Sequence, residues 1–448
     1  MNTQLLHRSI RRAPPLAVAG EGIYLVQEDG RRIIDASGGA AVACLGHGNA
    51  RVANAIASQA QRMSYAHTSF FSSEPAEELA ALLTEGKPGG LSHAFFISSG
   101  SEAMEAAIKL ARQYQLERGE VGRDRFIYRR QSYHGNTLGA LAISGHPARR
   151  APYEALLDPR HIAVSPCFPY REQAEAESDE AYVQRLVAEL DQAFEEAGAG
   201  KIIAFVAETV VGATTGCVAP LPGYFEGVRE VCDRHGALLI LDEIMSGMGR
   251  TGTTHAWQQE GVAPDIQTIA KGLGGGYQPI GGLLVQEHIV DTLASRSGIF
   301  VHGQTYQAHP VACAAALEVQ RIIQEDDLLT NVRRAGARLR KELVARIGGH
   351  PLVGDVRGRG LFMGVEFVAD RATRQPFEPA ANFANVIKEA TFDEGLAIYP
   401  GSGTIDGIRG DHLLIAPPYW VDDAMLVEIV SRLKVALDRA AEIVRAGS

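Results

Sequence analysis

The chain is predicted to have an α/β fold, with a mostly parallel, doubly wound sheet in a large domain and a smaller α+β domain. Two observations predict it. In the middle of the 448 residues, short apolar runs alternate with segments of helical periodicity, which is typical of βαβ units. After about residue 325, shorter strand patterns and turns take over. The predicted central strands are residues 94–97, 125–128, 203–207, 237–241 and 266–270, and the helices between them include residues 102–118 and 223–235.

The remaining elements are predicted on either side of that core. A β-hairpin over residues 20–36 turns at residues 28–30, an amphipathic helix begins at Glu74, and a long helix starts near Pro310. The C-terminal strands are expected at residues 353–357, 361–367, 397–399 and 412–415, before a last helix over residues 422–445. We therefore expect a large domain over residues 61–324 and a small domain over residues 325–448, completed by the N-terminal residues 1–60.

Composition and charge argue against several classes of protein. The net charge of −10 leaves no general basic surface for nucleic acid, so no nucleic-acid partner is expected. Five scattered cysteines without a C-x-x-C pair, and histidines without metal-ligand spacing, predict neither disulfides nor a metal site. No apolar run is long enough to cross a bilayer and the N-terminus lacks a signal-peptide pattern, which predicts a cytoplasmic protein without a membrane partner. Short arginine clusters, Arg149 and Arg150 among them, are interpreted as solvated faces or interface pairs.

The carboxyl ends of the predicted strands are where a sheet of this kind binds its ligands. After the first strand come Ser98, Ser99, Gly100 and Ser101, at the start of a helix. Small residues let backbone N–H groups approach a phosphate, and a helix N-terminus adds partial positive charge. An ordinary helix cap formed by Ser99 or Ser101 is the alternative interpretation.

A carboxylate, Asp242, ends the apolar run of residues 237–241. In a partly buried position it needs a cationic or strongly donating partner, and a protonated pyridine nitrogen is one. The alternatives are a structural salt bridge, a helix cap, or the acidic residue of an ATPase. The last of these requires G-x-x-x-x-G-K-[ST], which the chain lacks.

A lysine, Lys271, follows the strand at residues 266–270 and precedes the glycine-rich residues 272–276. Loss of solvent at a strand end lowers the pKa of a lysine and makes its amine a better nucleophile toward an aldehyde. A lysine with its amine extended to solvent at the sheet edge is the alternative. The loop is not a dinucleotide fingerprint, because Tyr277 occupies the place of the third glycine.

An aromatic residue completes the set, since Tyr133 and His134 follow the strand at residues 125–128 and offer a ring for stacking. Packing in the core is the alternative for this pair. A phosphate loop, an aromatic ring, a carboxylate and a lysine thus occur at successive strand ends of one sheet. Each is ambiguous alone, and their order and spacing together predict one binding site.

The chain resembles the class III, or ω-amino acid, aminotransferases of pyridoxal-phosphate (PLP) fold type I. The resemblance runs from residues 35–38 (DASG) and 45–48 (LGHG) to residues 416–418 (APP). Its most specific stretch is residues 241–252 (LDEIMSGMGRTG), followed by Lys271 and Gly272. The resemblance implies a PLP cofactor and a set of roles for this sequence. Gly100 and Ser101 bind the phosphate, Tyr133 and Ile244 contact opposite ring faces, Asp242 pairs with the ring nitrogen, Lys271 forms the Schiff base, and His134 and Glu208 lie near the cofactor.

The same resemblance implies a homodimer, or a dimer of dimers, with shared sites, because Thr305 matches a threonine that reaches the neighbouring subunit's phosphate. Substrate recognition departs from the family pattern. Many members carry a mobile arginine that binds the substrate carboxylate, and this chain has Gly407 there. Arg409, from a shifted position, and Glu208 are the predicted substrate residues, with a surface role as the alternative for Arg409.

The function expected from these residues is transfer of an amino group from an ω-amino acid or primary amine to a keto acid, pyruvate being favoured over 2-oxoglutarate. A ping-pong cycle follows from the covalent intermediate. Another PLP reaction on the same scaffold, by an aminomutase, a racemase or a decarboxylating transaminase, is the nearest alternative. A nucleotide-binding ATPase or an oxidoreductase is the alternative from a different class.

Overall fold

The computed structural model describes residues 3–11 and 13–446, so residues 1–2, 12 and 447–448 of the predicted domains lie outside the described part. Its strands are β1 (Ala17–Glu21), β2 (Tyr24–Gln27), β3 (Arg32–Asp35), β4 (Leu91–Ile97), β5 (Arg125–Arg129), β6 (Ile162–Val164), β7 (Ile202–Glu208), β8 (Leu238–Asp242), β9 (Ile266–Ile269), β10 (Gly281–Gln286), β11 (Val353–Arg359), β12 (Phe362–Phe367), β13 (Leu396–Ala397), β14 (Tyr399–Ser402) and β15 (Asp411–Ile415). The α-helices are Gly38–Ala41, Ala50–Arg62, Glu74–Leu83, Gly100–Glu117, Leu138–Ala142, Pro147–Arg150, Pro169–Glu172, Asp179–Ala197, Tyr224–His235, Glu287–Ser295, Pro310–Glu325, Leu328–Arg346, Phe383–Asp393 and Asp423–Ala446.

The central sheet has seven strands in the order β4-β10-β9-β8-β7-β5-β6. β10 runs antiparallel to both of its neighbours, β4 and β9, while the pairs from β9 to β6 are parallel. This confirms the predicted fold class. Two strands of the sheet escaped prediction, because β6 has three residues and β10 begins with two glycines, which have low strand propensity.

Helices cover both faces of this sheet. On β8, Leu238 and Ile240 pack with side chains of helix Gly100–Glu117, while Leu239 and Leu241 pack on the other face with helix Tyr224–His235. Burial on both faces explains why the strand is a continuous apolar run rather than an alternating one. The carboxyl ends of the parallel strands consequently share one edge of the sheet.

Two smaller sheets lie outside this core. The predicted N-terminal hairpin is β2 and β3, to which β1 adds a further strand, and β3 pairs in parallel with β13. The second small sheet is antiparallel, in the order β11-β12-β15-β14. The predicted strand at residues 397–399 is divided between β13 and β14, so this stretch contributes to both small sheets.

Helix Pro310–Glu325 connects the two parts of the molecule. Its residues Cys313 and Leu317 pack in the core of the central sheet, whereas Val319 and Ile323 pack with the C-terminal elements and the N-terminal strands. The domain boundaries at residues 60/61 and 324/325 stay predictions. Residues 3–11 and 13–446 include no helix with the length and apolar composition needed to cross a membrane.

Candidate active site

A cavity of about 410 Å³ opens at the carboxyl edge of the central sheet. The predicted site residues that line it are Gly100, Ser101, Tyr133, His134, Glu208, Asp242, Ile244 and Lys271. Each follows or ends a strand of the same sheet, which is why residues distant in sequence meet here. Thr305 and Arg409 are the predicted site residues that do not line the cavity.

The helix Gly100–Glu117 begins at this cavity. Ser99 is its N-cap, and the Ser99 Oγ accepts a hydrogen bond of 3.3 Å from the Glu102 N–H. A Cβ atom on Gly100 would lie 2.9 Å from the Ile244 Cδ1, so glycine lets the Ile244 side chain pack directly against the start of this helix. The capped and phosphate-binding interpretations of this loop are therefore compatible, because Ser99 satisfies one donor while the helix N-terminus still faces the cavity.

Ser101 is held in place by the next loop. Its hydroxyl donates to the Asn136 Oδ1 at 2.9 Å, and the Asn136 N–H is 3.1 Å from the same Ser101 oxygen. The loop that carries Tyr133 and His134 is thereby tied to the helix N-terminus. The predicted phosphate and ring contacts thus belong to one hydrogen-bonded unit.

The carboxylate of Asp242, the last residue of β8, has a defined orientation. Its Oδ1 accepts from the Ile244 N–H at 3.0 Å, and its Oδ2 lies 2.9 Å from the His134 Nδ1. The His134 N–H donates in turn to the Ser144 Oγ at 2.8 Å. Because both acidic and imidazole side chains are buried, this arrangement holds a carboxylate at the cavity wall, where it can accept a hydrogen bond from a cationic group.

The backbone and the amine of Lys271 are both unusual. Lys271 has φ 47°, in the left-handed region that non-glycine residues adopt rarely and at some cost. Burial lowers the pKa of the amine to about 8, with the nearby Asp242 opposing this shift and Arg149 adding to it. At pH 7 roughly one amine in ten is then neutral and able to act as a nucleophile, which an ordinary lysine is not.

Glu208, the last residue of β7, connects the loop that carries Tyr133 and His134 to the sheet. Its Oε1 accepts from the Tyr133 N–H at 3.1 Å, and its Oε2 is 3.7 Å from the Arg129 Nη2. Burial raises the pKa of Glu208, while His134 and Arg129 oppose the rise. Glu208 therefore positions Tyr133 through its backbone, a role that the sequence did not predict.

Arg149 and Arg150 are not a solvated pair. Arg150 donates to the carbonyl oxygens of Leu141, Ala142 and Ser144, whereas the guanidinium carbon of Arg149 lies 4.3 Å from the centroid of the Tyr133 ring. The interpretation of these arginines as a solvated face was wrong for this reason, and the interpretation as an interface pair stays a prediction. Two consecutive arginines carry no local signal of which one contacts Tyr133, so this distinction comes from the tertiary structure alone.

The two predicted residues outside the cavity lining have other surroundings. Thr305 is exposed, and its carbonyl accepts a hydrogen bond of 2.8 Å from the Tyr65 hydroxyl. Arg409 is also exposed, with its Nε 2.7 Å from the Asp406 Oδ2. Arg409 is thus paired within its own loop, and its predicted contact with the substrate stays a prediction.

The residues present fit PLP. A carboxylate faces the cavity for the ring nitrogen, a helix N-terminus for the phosphate, and a lysine of lowered pKa for the aldehyde. These three groups match the ring nitrogen, the phosphate and the aldehyde of the cofactor, and the cavity volume of about 410 Å³ suits a small ligand.

Comparisons with known proteins agree with this geometry. The model of the family described as aminotransferase class-III matches residues 8–437. An uncharacterized aminotransferase of Schizosaccharomyces pombe is 48% identical over 429 residues, which are 96% of this chain and 94% of that relative. Two solved structures are similar. An (S)-enantioselective omega-transaminase from Thermomicrobium roseum has a TM-score of 0.89 and 38% identity, and the match covers 96% of this chain and 93% of the other. An omega transaminase from Pseudomonas jessenii in complex with PMP has a TM-score of 0.93 and 32% identity, and the match covers 100% of this chain and 98% of the other.

Proposed function

Because this chain belongs to the class III aminotransferase family, we propose that it transfers an amino group from an ω-amino acid or primary amine to pyruvate in a ping-pong cycle. The family is PLP-dependent, so the enzyme uses PLP, with a small-molecule amine and a keto acid as its substrates. The family assignment also decides against the nucleotide-binding ATPase and the oxidoreductase.

The observation that carries the proposal is the meeting of Lys271, Asp242 and the N-terminus of helix Gly100–Glu117 in one cavity. When bound, PLP supplies an aldehyde carbon that takes the amino group and a protonated ring that accepts the electron pair of the broken donor C–H bond. Lys271 is the proposed covalent attachment point and, once displaced by the donor, the base that removes the donor's proton. Its lowered pKa supports this role, because only the neutral amine can accept that proton.

The other residues bind and orient. Asp242 is proposed to accept a hydrogen bond from the ring nitrogen, supported by the His134 contact that fixes its carboxylate. Gly100 and Ser101 are the proposed phosphate contacts, and Tyr133 and Ile244 are proposed to contact the two ring faces. Since a charge-assisted hydrogen bond contributes roughly 1.5–3 kcal/mol, loss of the Asp242 carboxylate alone is expected to weaken the reaction substantially.

A shared active site is the remaining part of the proposal. Thr305 is exposed in the single chain, while the loop around it carries the exposed aromatic residue Tyr306. Both features suit a surface that a second copy covers. We therefore propose a homodimer in which Thr305 contacts the phosphate bound by the other subunit.

The experiment is a spectrum of the purified, PLP-loaded protein before and after addition of a panel of amines without keto acid. If the protein is a transaminase, we expect at least one amine to bleach the visible absorption band of the bound PLP, and pyruvate or 2-oxoglutarate to restore that band. Faster recovery with 2-oxoglutarate would contradict the proposed preference for pyruvate. A coloured protein that no amine bleaches reversibly would favour an aminomutase, a racemase or a decarboxylating transaminase.

A further inference from the structure

Arg149 is a cation beside the cavity to which the proposed chemistry has given no role. It is half-buried in the short helix Pro147–Arg150, with its guanidinium carbon 4.3 Å from the Tyr133 ring centroid. Within the described residues, no carboxylate lies within 4.0 Å of that guanidinium. Its neighbour Arg150, by contrast, donates to three carbonyl oxygens and pairs with Glu154. Arg149 therefore has the ring of a cofactor-site residue as its partner and no anion.

The charge of Arg149 acts on the amine of Lys271, which lines the cavity. Burial lowers the pKa of Lys271 to about 8, Asp242 opposes the shift, and Arg149 lowers it further. An arginine on a solvated surface, screened by water, would have little such effect. A substrate anion next to Lys271 is consequently within electrostatic reach of Arg149.

The loop of residues 403–410 has no room for the mobile arginine that many family members carry at position 407. Gly407 has φ +84°, and a Cβ atom there would lie 2.6 Å from the Pro147 Cδ. The loop is anchored by Gln131, whose Nε2 donates to the Gly403 carbonyl at 2.8 Å. Pro147 thus fills the place of any side chain at position 407, and the helix that Pro147 begins carries Arg149.

Arg409 is the other cation of this region, and it is engaged elsewhere. Its N–H and its Nε both donate to Asp406, each at 2.7 Å, on the exposed side of the loop. Taking part in substrate binding would require breaking this local pair. Arg149 would exchange only a contact with an aromatic ring.

We propose that Arg149 binds the carboxylate of the keto-acid acceptor and of amino-acid donors, an inference that rests on the proposed function. To bind the carboxylate, the Arg149 guanidinium leaves the Tyr133 ring. The planar guanidinium can meet both carboxylate oxygens at once, which a lysine cannot. A donor amine without a carboxylate leaves Arg149 on Tyr133. One cavity can in this way accept both a neutral amine and a charged acid in the two halves of a ping-pong cycle.

The test compares a carbonyl substrate with and without a carboxylate. The enzyme is converted to its aminated form with an amine, and its reoxidation by pyruvate and by propanal is followed by absorbance. In Arg149→Ala, the second-order rate constant for pyruvate divided by that for propanal is expected to fall about 10- to 100-fold. Arg149→Lys is expected to lie between, since it keeps the charge and loses the planar fork.

A binding measurement complements the kinetics. Propionate carries the carboxylate but no carbonyl to react, and its dissociation constant is measured by calorimetry on the PLP-loaded protein. It is expected to rise about 10- to 100-fold in Arg149→Ala. Arg130→Ala, at an exposed arginine of the same region, is the matched control and should change neither quantity. Equal thermal midpoints establish that the variants fold alike.

Each remaining outcome is decisive. An unchanged pyruvate-to-propanal ratio and propionate affinity in Arg149→Ala overturn the inference. So does a carboxylate-specific loss in Arg409→Ala without one in Arg149→Ala, which would assign the role to Arg409. If the wild type reacts with no amine or carbonyl, the proposed function fails instead, and the propionate titration still decides the role of Arg149.

Discussion

The Nδ1 of His134 lies 2.9 Å from the Oδ2 of Asp242, and both side chains are buried. Because a carboxylate can only accept, the imidazole Nδ1–H is the donor in this contact. The His134 N–H donates to the Ser144 Oγ, which holds the histidine in place. The histidine in turn orients the Asp242 carboxylate. Asp242 accordingly presents its charge to the cavity in one orientation, which is what an electrostatic partner of a cofactor ring requires.

Replacement of that carboxylate should separate folding from catalysis. We expect Asp242→Asn to fold and bind PLP, but to slow the amine half-reaction about 10- to 100-fold, because the ring nitrogen loses a charge-assisted partner. Single-turnover bleaching by an amine measures this. Asp326→Asn, at an exposed aspartate, is the control. Equal rates in wild type and Asp242→Asn would refute the role of Asp242.

Removal of the lysine amine should abolish turnover and leave binding. In Lys271→Ala we expect turnover to fall by roughly 10³-fold or more, since the variant lacks both nucleophile and base. PLP should remain bound noncovalently and be lost on dialysis, whereas the wild type should release it only after amine treatment. Lys341→Ala, at an exposed lysine, should behave as wild type. Activity near the wild-type value in Lys271→Ala would contradict the assignment.

The lowered pKa of Lys271 predicts a pH dependence. Burial sets this pKa at about 8, so the amine of the cofactor-free protein is mostly protonated below that pH and mostly neutral above it. The rate of covalent PLP capture should therefore rise with pH and level off above about 8. Stopped-flow absorbance on the cofactor-free protein measures the midpoint. A rate still rising toward 10.5, the ordinary lysine value, would show that the amine is not desolvated.

Glu243 is predicted to stabilise the fold rather than to act in catalysis. Its carboxylate is fully buried and accepts hydrogen bonds from the Thr209 hydroxyl, the Ala256 and Trp257 N–H groups and the Gln267 amide. In Glu243→Gln the new amide N–H₂ group would face donors, so the free energy of unfolding should fall by about 1–3 kcal/mol. Urea unfolding of the cofactor-free protein measures it, with Glu196→Gln, at an exposed glutamate, as the control. A change below 0.5 kcal/mol in Glu243→Gln, about the size of an ordinary surface effect, would be inconsistent with this role.

The proposed shared site predicts an effect of a residue that does not line the cavity of its own chain. We expect Thr305→Val to weaken PLP binding about 10-fold, because the proposed hydroxyl contact to the phosphate is lost in each site of the proposed homodimer. Equilibrium dialysis gives the affinity, and sedimentation gives the oligomeric state. Thr330→Val removes an exposed hydroxyl that bonds to Asp327 and should have no effect. An unchanged PLP affinity in a dimeric Thr305→Val would rule out this contact.

Much of the fold and of the cofactor site was predictable because the signals are local. A strand buried on both faces must be an apolar run, and polar residues at its carboxyl end must then face the ligand edge. Asp242 and Lys271 are both of this kind, at the ends of β8 and β9. β10 was missed for the corresponding reason, since its two glycines weaken the local strand signal although the strand is buried between β4 and β9.

The amino-acid sequence thus predicted five of the seven strands of the central sheet, its ligand edge and the residues at the strand ends. The family pattern added the cofactor. Only the tertiary structure shows which of the two arginines contacts Tyr133, a residue that lines the cavity. Arg149 lies over Tyr133 in a short helix whose Pro147 packs against the loop containing Gly407. That loop is anchored by the hydrogen bond between Gln131 and Gly403, which are 272 residues apart in sequence. Hydrophobic periodicity reports how a segment is buried, whereas the direction of one charged side chain depends on contacts between segments that no local pattern contains.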